Sequence, residues 1–157
     1  MNKLTLLLSF FLINEYGFSQ IAAYSGKSSP SATAASNASA TALSRGAGLG
    51  TASGSSFNSN NWTTTSTAGD AITNNDYIEW ALTANSGYTV NVTSIEIDYD
   101  RSNSGPSKVF IRTSLDSYGS DIYSDASVSS SGEENTISSL NLTSANGGAI
   151  TFRLYGY

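Results

Sequence analysis

The chain has no cysteine and no histidine, and only two prolines and one methionine. Without imidazole or thiol it has no histidine general base, no thiolate nucleophile and no Ser/His/Asp triad. Zinc, copper and haem sites lose their usual ligands for the same reason. Charge is also scarce, at 12% of 157 residues, about half the usual quarter. Seven basic residues are scattered among twelve acidic ones, for a net charge of −5. That is no electrostatic footprint for a nucleic acid, so no nucleic-acid partner is expected. The most apolar run, Leu4 to Ile13, is too short to span a bilayer, and no membrane insertion is expected.

What replaces these groups is a population of 30 Ser, 16 Thr and 14 Asn, so the surface is made of hydroxyls and amides. The length fits one domain, which at this size buries roughly 68% of its unfolded surface and needs no metal or disulfide staple. The first nineteen residues read as a signal peptide, the alternative being a buried N-terminal strand or helix. A short polar start with Lys3 leads into the apolar run, and Gly17 and Ser19 occupy the −3 and −1 positions of a cut before Gln20. The expected mature unit is a single domain over 20–157, secreted to the extracellular space or cell surface. Its first part, 20–67, is rich in Ser, Thr and Ala, with few large apolar anchors.

From Asp76 onward the pattern has period two. In Tyr77 to Thr83, Ile78, Trp80 and Leu82 share one face. Tyr88, Val90 and Val92 follow after the turn Asn85-Ser86-Gly87, suggesting a hairpin. Ile95, Ile97 and Tyr99 alternate with Glu96, Asp98 and Asp100. The loop Ser102 to Ser107 leads into Lys108 to Thr113, where Val109 and Ile111 oppose Phe110 and Arg112, suggesting a second hairpin. Further strands are expected at Asp121 to Ser124, Thr136 to Leu142 and Ala149 to Tyr157. Helical spacing appears nowhere with comparable strength. Many short strands with Gly, Asn and Ser turns indicate an all-β fold, an antiparallel β-sandwich or jelly roll.

If the apolar members point inward, then Glu96, Asp98, Asp100, Phe110, Arg112, Arg153, Tyr155 and Tyr157 point outward, because the side-chain period is two. Were the strands neighbours, carboxylates, guanidinium groups and aromatic rings would share one sheet surface. Sugars are bound by that mixture, rings stacking on the pyranose and charged groups taking hydroxyls. The same residues also suit cross-strand ion pairs on a solvated face. Asp116, Asp121 and Asp125, in LDSYGSDIYSD, are candidate calcium ligands, or turn carboxylates that bind nearby backbone amides. Their spacing is not that of an EF-hand loop.

The segments ATALSRG (40–46), NWTT (61–64), DYIEWALT (76–83), SGYTVNVTSIEID (86–98), RSNSGP (101–106), VFIRTSLDSY (109–118) and TFRLYGY (151–157) together resemble a recurrent extracellular module. It is the jelly-roll-like β-sandwich near the N-terminus of secreted multidomain proteins of polymer-degrading bacteria that use type IX secretion. The resemblance implies one further strand after TFRLYGY, so the expectation is either that this strand is absent from the fold or that the sequence is a fragment with covalent neighbours in a longer chain. It brings no catalytic residues, and it implies structural roles for Arg112 and Asp116. The expected function is non-catalytic binding of a polysaccharide or cell-surface glycan. The alternative is a structural or adhesion spacer without a small ligand. No cofactor is expected other than calcium.

Overall fold

A computed structural model describes residues 4–9, 20–24, 31–54, 56–64 and 67–157. The strands in chain order are β1 (Leu4–Ser9), β2 (Ala22–Tyr24), β3 (Ala32–Ala34), β4 (Ala38–Ala40), β5 (Ser44–Arg45), β6 (Gly50–Thr51), β7 (Phe57–Asn60), β8 (Tyr77–Ala84), β9 (Asn91–Val92), β10 (Ile95–Arg101), β11 (Val109–Thr113), β12 (Tyr123–Asp125), β13 (Glu133–Ile137), β14 (Leu142–Thr143) and β15 (Ala149–Gly156). A helix, α1 (Ala68–Asn74), precedes β8, and a 3-10 turn at Ser114–Asp116 follows β11.

Two larger sheets carry the fold. The first has the order β13-β10-β1-β7-β6, and the second β12-β11-β15-β8-β4, with β5 also on β8. Ile95, Ile97 and Tyr99 of the first sheet share one buried cluster with Ile78, Trp80, Leu82, Val109, Ile111, Ile150, Phe152 and Leu154 of the second. Strands whose alternate residues are apolar can bury one face only, and here the two buried faces meet. The protein is therefore all-β and sandwich-like, with antiparallel sheets. At the centre of the second sheet Trp80 stands opposite Phe152, and their rings stack 5.4 Å apart at 6°. Such a pair contributes about 0.5–1.5 kcal/mol beyond its burial.

Neither expected hairpin forms. Strand β8 lies between β15 and the β4/β5 pair, while Val92 pairs with Leu142 of β14. The turn at Asn85 is tied elsewhere, the Asn85 amide donating to the Asn37 carbonyl at 2.9 Å and the Gly87 amide to Asn146 Oδ1 at 3.1 Å. These bonds direct the chain away from β8. Likewise β10 is flanked by β1 and β13, and the loop 102–107 carries the chain into the opposite sheet. Chain neighbours need not be sheet neighbours when burial of the apolar face decides the pairing.

The strand expected at Thr136 to Leu142 is split into β13 and β14, and Ser139, with φ of 60°, breaks the extended run. The Ser/Thr/Ala-rich part supplies β2 to β7. It is pinned by Arg45 of β5, whose Nε donates to Ser59 Oγ at 2.8 Å and Nη2 to the Asn58 carbonyl at 2.7 Å. That guanidinium joins the second sheet to β7 of the first.

Strand β1 falls within the run read as an export signal. It pairs with β10 over Leu4 to Ser9 and with β7 over Leu4 to Leu6. Residues 1–3 and 10–19, and with them the expected cut before Gln20, lie outside the described residues.

Candidate functional site

The eight outward residues do not form one surface. Glu96, Asp98 and Asp100 are on β10 of the first sheet, whereas Phe110, Arg112, Arg153 and Tyr155 are on β11 and β15 of the second, with Tyr157 just beyond. Since both sheets turn their apolar faces to the shared core, the two groups face opposite sides of the sandwich. The assumed adjacency of β10 and β11 is corrected accordingly.

On the first sheet the acids stand together. Asp98 lies opposite Glu134 of β13, and Glu96 opposite Thr136. Partial burial, with the like charges of Asp100 and Glu134, pushes the Asp98 carboxyl above its ordinary pKa. One Asp100 oxygen, Oδ1, is buried without a hydrogen-bond partner.

The second sheet's outer side is partly roofed by α1. Thr67 caps this helix, its backbone amide and hydroxyl both donating to Asp70 Oδ2, at 2.8 and 2.9 Å. Ala71 of the helix packs onto Phe110 and Tyr155, all three at most 2% exposed. Phe110 and Tyr155 stack 4.9 Å apart at 8°, as a small second core. Both are therefore lost as ligand platforms. A sequence scan for helical apolar spacing misses α1 because the helix buries little but one alanine. The Thr67/Asp70 box is its legible signal.

The arginines of this face are engaged by the protein itself. Arg112 Nε donates to Asp121 Oδ1 at 2.6 Å, and Nη1 to the Tyr118 carbonyl at 2.9 Å. Arg153 Nε donates to Glu79 Oε2 at 2.7 Å, and its guanidinium lies 4.3 Å from the Tyr77 ring centroid and 4.0 Å from that of Tyr118. Burial opposes the Arg153 charge, but the bonds to Glu79 and Tyr155 outweigh it and raise its pKa further. A cross-strand pair with Glu79 therefore accounts for Arg153, and the loop between β11 and β12 accounts for Arg112.

The three aspartates named as calcium candidates are held apart. Asp116 accepts the amides of Gly119 at 3.1 Å and Ser120 at 2.9 Å, and so closes the turn after β11. Asp121 takes Arg112. Asp125 accepts the Tyr99 hydroxyl at 2.9 Å and the Ser127 amide at 2.7 Å. Among the described residues, no group of three or more metal-ligating side chains comes together. Tyr99 also lies 2.7 Å from the Tyr123 hydroxyl, which reaches Asn135 Oδ1 at 3.1 Å, so this polar cluster ties β10 and β13 to β12 across the sandwich.

Among the described residues a cleft of about 250 Å³ opens at the β11/β12 edge, lined by Lys108, Phe110, Asp121, Ser124, Asp125 and Tyr157 among others. The Tyr157 ring meets Phe110 edge-on at 6.0 Å, with Lys108 Nζ 5.3 Å from its centroid. An aromatic ring, an ammonium, a hydroxyl and two carboxylates converge on one concavity. Lys108 and Ser124 escape the alternation argument, the first because it lies just before β11 and the second because β12 is only three residues long. A second cleft, of about 200 Å³, lies between Ile21, 35–38 and 88–90. There Tyr88 is half exposed although Val90 and Val92, assigned to the same strand face, are buried. No helix among the described residues is long and apolar enough to cross a membrane. The chain matches no family model, no curated protein and no solved structure.

Proposed function

We propose that the chain is a secreted, non-catalytic binding module of a larger extracellular protein, and that it takes a polysaccharide or cell-surface glycan in the Lys108/Tyr157 cleft. The observation that carries this reading is the half-buried Tyr157 ring, braced edge-on by Phe110 and bordered by Lys108, Asp121 and Ser124. A braced ring offers a flat apolar platform at little entropic cost, and the polar groups around it can take sugar hydroxyls. The resemblance to modules of polymer-degrading proteins and the reading of 1–19 as an export signal support the same setting.

The test is a glycan array probed with the wild type, Tyr157→Ala and Lys108→Ala, with melting temperatures measured in parallel. Binding to one polysaccharide class that falls at least tenfold in Tyr157→Ala, with folding intact, supports the proposal. An array blank for the wild type sinks it. The rival reading, a structural or adhesion spacer, draws on the internal pairing of Arg112 and Arg153, which leaves neither guanidinium free for a ligand. A blank array with a cooperative, stable domain is its signature.

A further inference from the structure

Strand β1 is flanked on both sides in the first sheet, by six register pairs with β10 and three with β7. The other edge of β7 is paired with the two-residue β6, and the other edge of β10 with β13. Withdrawing β1 therefore splits this sheet and leaves two strands with unpaired edges. Yet β1 lies in the segment that reads as a removable leader. It is also an imperfect occupant. Leu6 and Leu8 stand opposite Tyr99 and Ile97, whose side chains point into the core, but Thr5, Leu7 and Ser9 stand opposite Asp100, Asp98 and Glu96. No cation in the strand answers these acids or the neighbouring Glu134, and Asp100 Oδ1 remains buried without a partner.

From these observations we propose that the gap between β7 and β10 is a strand-acceptor site, filled in the mature protein by an extended segment of a separate polypeptide. The segment runs antiparallel to β10, with apolar residues opposite Tyr99 and Ile97 and lysine or arginine opposite Asp98 and Asp100. Main-chain pairing on both sides supplies affinity, as in other strand-addition complexes. The acidic row supplies specificity and register, because a basic residue directly across from a carboxylate is favoured and an acidic one is rejected. The same cation offsets the like charges of Asp100 and Glu134 that, with partial burial, hold the Asp98 carboxyl above its ordinary pKa.

The proposal rests on removal of the leader, and its test separates that premise from the acceptor site itself. The full chain is first produced in an export-competent host and its N-terminus read by mass spectrometry. An N-terminus at Gln20 meets the premise. Retained Met1 overturns the proposal, since β1 is then a permanent strand. The full chain with a protease site inserted between Ser19 and Gln20 is next cut in its folded state and mixed with labelled peptides of residues 3–9, carrying either Lys or Asp in place of both Thr5 and Leu7. The expected result is that the Lys peptide displaces the cut segment, binds at least tenfold more tightly than the Asp peptide, loses that advantage in high salt, and keeps the amides of β7 and β10 protected from hydrogen exchange. If the domain unfolds once the cut segment leaves, rescue by the Lys peptide supports the proposal and failure of rescue overturns it. Equal binding of both peptides, or full protection of β7 and β10 with nothing bound, overturns it as well.

Discussion

Replacing Tyr99 by phenylalanine removes one oxygen from the cluster that joins the two sheets. The ring, 1% exposed in the core, keeps its packing, so the change isolates the hydroxyl. That hydroxyl donates to Asp125 Oδ2 at 2.9 Å and touches the Tyr123 oxygen at 2.7 Å. A hydrogen bond to a charged acceptor contributes about 1.5–3 kcal/mol, and its loss leaves Asp125 with the Ser127 amide as its remaining partner of the two. For a domain of this size that is a fall of roughly 4–10 °C in melting temperature. Urea unfolding followed by tryptophan fluorescence is a suitable assay, because Trp62 and Trp80 are both buried. The pH dependence gives a second, independent reading. Burial first, then the bonds to Tyr123 and Asp125, hold the Tyr99 pKa above its ordinary value. The folded state then retains a proton that the unfolded chain releases near pH 10. This contribution to stability is complete below about pH 10 and is lost as the pH climbs toward the folded-state pKa. Tyr99→Phe abolishes that linkage, so the gap between variant and wild type is widest at neutral pH and narrows above pH 10. A variant as stable as wild type at pH 7, or a gap that does not change between pH 8 and 11, refutes the assignment of the cluster as an inter-sheet tie.

Gly156→Ala places a methyl 2.9 Å from the Trp62 ring and 3.0 Å from Pro106, and is expected to cost about 1–3 kcal/mol by overpacking, measured by the urea midpoint. Asp70→Ala removes the acceptor of both Thr67 donors. Because those bonds lower the Asp70 pKa, the loss in melting temperature is expected at pH 7 and shrinks as the pH falls through the carboxylate range. Asp98→Asn acts in the opposite direction. Burial, then Asp100 and Glu134, raise this carboxyl's pKa, so the charged form is unfavourable in the fold; the amide is expected to raise the melting temperature at pH 7, more at low salt than at high salt, with the benefit fading toward pH 4. A melting temperature for Asp98→Asn below that of wild type at every salt concentration would show that the carboxylate has a bonding role.

Residue alternation made the inward faces legible, since Ile78/Trp80/Leu82, Ile95/Ile97/Tyr99 and Ile150/Phe152/Leu154 are all in the core. A period of two says which residues share a face of one strand, but nothing about which strands lie side by side. That is why the carboxylates of β10 and the arginines of β11 and β15, inferred to share a surface, lie on opposite sides of the molecule. Nor can alternation say whether an outward residue meets water. Phe110 and Tyr155 point away from the main core as the period demands, and are buried all the same by a seven-residue helix whose only buried side chain is Ala71. Alternation also gave no weight to Leu4–Ser9, because its apolar residues run consecutively and suit a leader as well as a strand buried on both faces. The two readings meet physically in the first sheet, where leader-like residues close a gap bordered by the three acids of β10 without offering those acids a cation. A sheet assembled from residues 20–157 alone would present β7 and β10 as open edges, and open edges are resolved by charge, by cover or by pairing. The acids of β10 and β13 keep out strands that carry negative charge and leave pairing available to a strand that carries the opposite charge.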